Sequence, residues 1–221
     1  PLNIDDLLSK VVGNTGAEDV AELLSHAESL STTDLERAIV LGDYNKCKAL
    51  INNGETFAAD KKSSKELLKT ITELENSDVV LTYYECANRL YEVLENNQIA
   101  EKYYIFGLLT EPSKCSEALL TMYMHENNPE RFYTVWDKYA RNATLSDEKT
   151  TYLLYALCNK GEEAIENYLK KNVCILYVPK FSETLIGALE SFGYSKILAK
   201  CKKIADTIAS SPQTNDFEKQ I

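Results

Sequence analysis

Apolar residues recur along this chain at steps of three and four and almost nowhere alternate every second position, the pattern of amphipathic helices without strands. The punctuation agrees. Asn3 can cap a short helix running to Val12 and stopped at Gly13, and Thr15 with Glu18 forms a capping-box pattern ahead of the stripe Val20, Leu23, Leu24 and Ala27. Thr33 with Glu36 repeats the pattern ahead of residues 35–41. Gly42-Asp43 breaks that segment, and 44–51 predicts a further helix closed near Gly54. Residues 55–62 are polar and aperiodic and read as a loop or hinge. Ser63 with Glu66 opens a helix bearing Leu67, Leu68, Ile71 and Leu74, and Ser77 is placed to cap a long one from about Asp78 to Asn96. Another runs from about Gln98 to Leu109. Pro112 and Ser113 start the next, and Asn128-Pro129, with Asn as cap and Pro at the first helical position, starts one carrying Phe132, Val135, Trp136 and Tyr139.

From residue 113 the helices fall into a repeat. First helices open near Ser113, Asp147 and Lys180, at intervals of 34 and 33, and partner helices near Pro129, Glu162 and Ser195, at intervals of 33 and 33. A helix pair of this length cannot bury its stripe alone, so units must stack, which predicts an all-α, right-handed α-solenoid of helix hairpins with a period of about 33–34 residues. The pair opening near Asp78 and Gln98 keeps the beat less closely. The expected organisation is an acidic region of short helices over 1–54, a solenoid over 63–209 with its clearest repeats in 113–209, and a loose tail over 210–221.

The span Phe132-Tyr-Thr-Val-Trp136-Asp-Lys-Tyr139, followed by Lys149-Thr-Thr-Tyr152-Leu-Leu-Tyr-Ala-Leu157-Cys-Asn-Lys-Gly161-Glu-Glu-Ala164-Ile, resembles a pentatricopeptide repeat. In that family a Thr-Tyr pair opens the first helix, a Gly marks the turn and an Ala packs inside the second. Tetratricopeptide repeats share the plan and nearly the same period, and the resemblance covers about half of the chain. Pentatricopeptide kinship implies single-stranded RNA binding, usually in organelles, through a polar residue near the start of each first helix. The residues in that register here are Leu120, Leu153 and Leu185, which offer a base edge no hydrogen bond. The commoner use of such stacks is protein recognition along a continuous concave surface. The turn Ala38-Ile39-Val40-Leu41-Gly42-Asp43-Tyr44 is similar to those of vesicle-coat and nuclear-pore solenoids.

Charge points the same way. With 34 acidic against 24 basic residues the net charge is −10 and the pI about 4.8, which disfavours phosphate backbones and anionic membranes as partners. Residues 1–110 hold 19 acidic and 10 basic side chains, net −9, and residues 111–221 hold 15 and 14, net −1. The longest apolar runs, such as 173–178, are far below the roughly 20 residues of a membrane span. Six cysteines with no CxxC and no His pair lack zinc spacing. Within helical patterns they read as reduced core thiols of an intracellular protein, cytoplasmic unless a targeting segment has been removed, in which case mitochondrial. The start at Pro1 without Met suggests an excised or processed product. Asn142-Ala143-Thr144, a glycosylation triplet, reads as an inter-helix loop.

Candidate chemistry is sparse. His26 and His125 lack a nucleophile and an orienting group in any recognisable pattern, and the acid pairs Asp5-Asp6, Asp147-Glu148 and Glu162-Glu163 sit in first helical turns, where the N-terminal dipole favours carboxylates. No phosphate loop or dinucleotide fingerprint occurs, and no cofactor, metal or small-molecule substrate is expected. Tyrosines concentrate in the middle third, where they read first as inter-helix packing with hydroxyls reaching the surface and second as an aromatic docking face, and Tyr83, Tyr84, Tyr123, Tyr152 and Tyr155 are the candidate partner-binding residues, since Tyr commonly anchors interfaces. Lys196, Lys200 and Lys203 line one face of the last helix, read as a solvated face or one that complements the acidic N-terminal half of another copy, ahead of a nucleic-acid patch. The expected function is a non-catalytic scaffold module holding subunits in a larger intracellular assembly. The alternative is an organellar pentatricopeptide-type RNA-binding protein acting in RNA processing or translation.

Overall fold

The computed structural model describes residues 3–14, 16–25, 33–40, 42–56, 63–76, 82–94 and 97–210, and all regular structure among them is helical. The helices are α1 (Ile4–Val12), α2 (Ala17–Ser25), α3 (Asp34–Val40), α4 (Tyr44–Asn52), α5 (Ser64–Glu75), α6 (Tyr83–Leu94), α7 (Asn97–Gly107), α8 (Pro112–His125), α9 (Pro129–Val135), α10 (Asp147–Lys160), α11 (Glu162–Lys171), α12 (Pro179–Phe192) and α13 (Ser195–Ala209). A π-helical turn, Trp136–Ala140, continues α9, and a 3₁₀ turn, Val173–Tyr177, joins α11 to α12. Side-chain caps start the helices as the residue types demand. Asn3 accepts from the Asp6 N–H at 2.8 Å, Thr33 from Glu36 at 3.1 Å, Asp43 from Lys46 at 3.1 Å, Asn128 from Arg131 at 3.2 Å and Ser146 from Lys149 at 3.2 Å. The Ser63–Glu66 capping box is complete in both directions. Thr15, Ser77 and the expected helix start at Asp78 lie outside the described residues. The long helix instead opens at Tyr83, where the Thr82 hydroxyl accepts from the Glu85 N–H at 3.3 Å.

The chain divides into two compact units, one of Pro1–Leu119 with Lys138–Ala140 and the other of Leu120–Asp137 with Arg141–Ile221. The division falls inside α8, and α4 packs directly on α5.

In the first unit each of α3 to α6 packs on the next, α6 packs on α7, and α1 also packs on α7. The α1–α7 contact departs from nearest-neighbour stacking and makes this unit a cluster around α7. From Ile99 to Leu108 every residue is buried, including Glu101 and Lys102. Lys102 reaches Glu36 on α3, Nζ to Oε2 at 2.6 Å, and the Tyr103 hydroxyl donates to the Glu36 carbonyl at 3.3 Å. In the second unit packing is local: α9, α11 and α12 all lie on α10, α13 lies on α12, and the 3₁₀ turn rests on α11, α12 and α13. Its core holds Phe132, Val135, Leu153, Leu154, Leu157, Ile165, Leu185 and Leu189.

One position in the first unit admits no side chain. A Cβ on Gly107, at the end of α7, would lie 2.3 Å from the Cys115 Sγ and 3.5 Å from the Tyr83 Cβ. Gly107→Ala should therefore lower stability in urea unfolding by about 1–3 kcal/mol, the usual cost of overpacking. Combining it with Cys115→Ala should give less destabilisation than the two single changes summed. Strict additivity would show that the sulfur is not the obstacle.

Candidate functional site

The strongest chemical feature of the second unit is a row of aromatic rings. Phe132 on α9 meets Tyr152 on α10 edge-on at 4.9 Å, Tyr152 meets Tyr155 one turn later at 5.8 Å, Tyr155 meets Phe192 at the end of α12 at 5.9 Å, and Phe192 stacks on Tyr194 at 5.9 Å. Phe132 is fully buried and the other four are half-buried, so the row runs from core to surface. Two backbone reversals aim it. Asn127, in the left-handed region at φ 52°, closes α8 and offers its side-chain oxygen to the Tyr152 hydroxyl at 3.1 Å. Gly193, at φ 74°, ends α12 and turns Tyr194 back so that its hydroxyl donates to the Cys158 carbonyl at 2.7 Å. Burial, with a smaller contribution from Tyr155, pushes the Tyr152 hydroxyl up to about 12, so it is a neutral hydrogen-bond donor at physiological pH.

A second aromatic group in the same unit joins Tyr133, Trp136 and Tyr168, with ring separations of 5.9 and 5.8 Å. Lys160 lies over Tyr133 at 5.4 Å and Arg141 over Trp136 at 4.8 Å. Burial raises the Tyr133 and Tyr168 hydroxyls as well.

The five tyrosines expected at a partner surface have three different fates. Tyr152 and Tyr155 sit together in the aromatic row. Tyr83 and Tyr84, in the first unit, are half-buried where α6 packs on α7: Tyr83 stacks on Phe106 at 5.6 Å, and Tyr84 tilts against Tyr104 at 6.1 Å with Lys114 over its ring. Tyr123 is 0% exposed and belongs to the core, because α8 turns the face that carries it inward with Leu119 and Leu120. Phe192 and Tyr194 escaped the sequence pattern, since neither lies in the tyrosine-rich middle third. Their only signal is the Phe-Gly-Tyr bracket around a helix-ending glycine. Lys196, Lys200 and Lys203 are all exposed on α13.

His125 is exposed at the end of α8, and His26 lies outside the described residues. Among the described residues no cluster of three or more His, Cys, Asp or Glu side chains could hold a metal ion. The acid pairs 5–6, 147–148 and 162–163 occupy the first turns of α1, α10 and α11. All six cysteines are free thiols, five of them buried and Cys174 exposed. Desolvation raises Cys47 to about 11 with help from Asp43, Cys115 to about 12 with help from Glu111, and Cys158 to about 12 with help from Cys201. Compared with protein-family models, with curated proteins and with solved structures, the chain finds no match.

A thiol-specific reagent at neutral pH should label Cys174 and spare the five buried thiols until the chain unfolds. The same burial ties stability to alkali. A thiol that keeps its proton to about 11 or 12 in the folded chain but loses it near 9.0 when unfolded favours folding below that value, and the advantage fades as pH rises above it. The urea midpoint should fall steadily above about pH 9, and a flat profile to pH 11 would contradict these burials.

Proposed function

We propose that this chain is a non-catalytic protein-interaction module that holds subunits in a larger intracellular assembly, its second unit forming a right-handed stack of helix hairpins on the tetratricopeptide and pentatricopeptide plan. The observation that carries the proposal is the aromatic row Tyr152–Tyr155–Phe192–Tyr194, half-buried and anchored on core Phe132. Aromatic side chains already held by their neighbours lose little rotamer freedom on binding, which is why such residues dominate interface energetics. The hairpin plan is supported by partner helices opening at Pro129, Glu162 and Ser195, 33 residues apart, and by α10 receiving α9, α11 and α12. The protein reading is favoured over the RNA reading by burial as well as by charge. Leu120, Leu153 and Leu185, in the register where a base would be read, are 1%, 2% and 0% exposed. Free thiols and the lack, among the described residues, of a helix long and apolar enough to cross a membrane support a reducing, aqueous setting.

Recovery of the tagged chain from its native extract, with and without nuclease, should return a fixed set of proteins that survives nuclease. Against the purified partner, Tyr155→Ala should weaken binding by about 2 kcal/mol, roughly thirtyfold in Kd, with little change in the unfolding midpoint. Tyr123→Ala should instead lower stability by about 3–5 kcal/mol, as for other large core residues. Recovery of RNA alone, or a Tyr155→Ala chain that binds as tightly as the parent, would overturn the proposal.

A further inference from the structure

Among the described residues of the second unit, the 3₁₀ turn between α11 and α12 carries the most exposed apolar surface. It buries Ile175 and Leu176, yet leaves Val173 at 47%, Tyr177 at 61% and the following Val178 at 36% exposure, with Cys174 also in solvent. Val173 and Tyr177 are held outward because the turn is pinned on three helices, α11, α12 and α13, through its inner pair. Lysines flank this turn in the sequence and lie on α13, one of the helices that support it. Residues 170–203 contain seven lysines and two glutamates, in a chain whose net charge is −10. Lys170 lies 3.8 Å from Glu166, Lys180 pairs with Asp147, and Lys202 meets Glu190 on α12 at 3.0 Å. Lys171, Lys196, Lys200 and Lys203 are exposed and have no carboxylate partner among the described residues. Because Lys202 faces α12, the 196–200–203 row occupies the other flank of α13, a helix on which the 3₁₀ turn also rests.

An apolar step bordered by unmatched lysines calls for an acidic surface, and the same chain holds one. Residues 3–25 carry Asp5, Asp6, Glu18, Asp19 and Glu22 against Lys10 alone, and Asp5, Asp6, Glu18 and Glu22 are exposed along α1 and α2. We infer that the lysine row of α13 and the Val173–Tyr177 turn of one copy receive the acidic α1–α2 surface of a second copy. The two faces differ, so each contact joins unlike surfaces, either reciprocally in a two-fold pair or head to tail in a ring or filament. The attraction is between exposed charges and weakens over a Debye length of about 8 Å at physiological ionic strength.

The inference is independent of the aromatic row and is tested on the purified chain by light scattering and sedimentation. At low salt the average mass should climb above 24.9 kDa with concentration, and about 0.5 M salt should return it to that value. Two neutralised chains, K196Q/K200Q/K203Q and D5N/D6N/E18Q/E22Q, should each stay monomeric alone. Mixed in equal amounts they should form a one-to-one pair and nothing larger, because only one acidic and one lysine face remain. Tyr177→Ser, a change at an exposed side chain, should weaken assembly at least fivefold, with circular dichroism confirming that each variant keeps the parent helicity. A parent chain monomeric at every concentration, assembly that survives both neutralisations, or a mixture that remains monomeric would overturn the inference. None of these results bears on a partner held by Tyr155.

Discussion

A helix without a solvent face sets the terms for the first unit. α7 is buried along its length from Ile99, yet it carries Glu101 and Lys102, and an ammonium group withdrawn from water costs several kcal/mol unless something matches it. Glu36 does so, from a helix that lies 66 residues earlier in the chain. The pair brings little net energy compared with two well-packed apolar residues, but it is unforgiving: with either partner removed, the other is a buried charge that has lost its ion pair. α3 must therefore dock in one place, Tyr103 adds a bond to the same residue's carbonyl, and the remaining helices of the unit are arranged about that junction. Two of its contacts, α1 on α7 and Glu36 with Lys102, join distant stretches of chain and carry a loop-closure cost that its neighbour-to-neighbour packing does not.

The second unit is governed by different physics. Its helices pack on near neighbours in the chain, the hairpin turns are set by caps such as Ser146 and by the left-handed Gly193, and the buried stripe is almost wholly aliphatic and aromatic. Among its described residues no buried charge dictates the register. Interleaved rings do so, and they emerge toward solvent in a continuous row, so the side chains that align the helices are also partly exposed. That coupling makes the row rigid and makes its innermost members costly to change.

Legibility in the sequence followed the range of the interaction. Caps act over three residues, so Asn3, Thr33, Ser63 and Asn128 could be assigned from spacing alone, and the helix starts at Asp147, Glu162 and Ser195 lie where the sequence spacing put them. The start of α6 differs from its expected place because Ser77 and Thr82 are both capable caps and nothing local ranks them. Glu101 and Lys102 look like a solvated face in any local window, and only a residue 66 positions away from Lys102 reveals them as interior. Tyr123 and Tyr155 are chemically identical in the sequence, and their separation into core and surface depends on which flank of each helix a neighbour covers. Phe192 and Tyr194 meet only because a glycine between them reverses the backbone, a condition that composition does not express.

The π-helical turn at Trp136–Ala140 has a bearing on how such a chain can change over time. A turn of this kind holds one residue more than an α-helical turn needs, and it sits beyond Phe132 and Val135, which are fixed in the core. Loss of a single residue there would return the segment to ordinary helical geometry without disturbing α9, whereas the same loss inside a regular α-helix would rotate everything beyond it by about 100°. The turn is thus a place where a deletion of one codon can be absorbed locally.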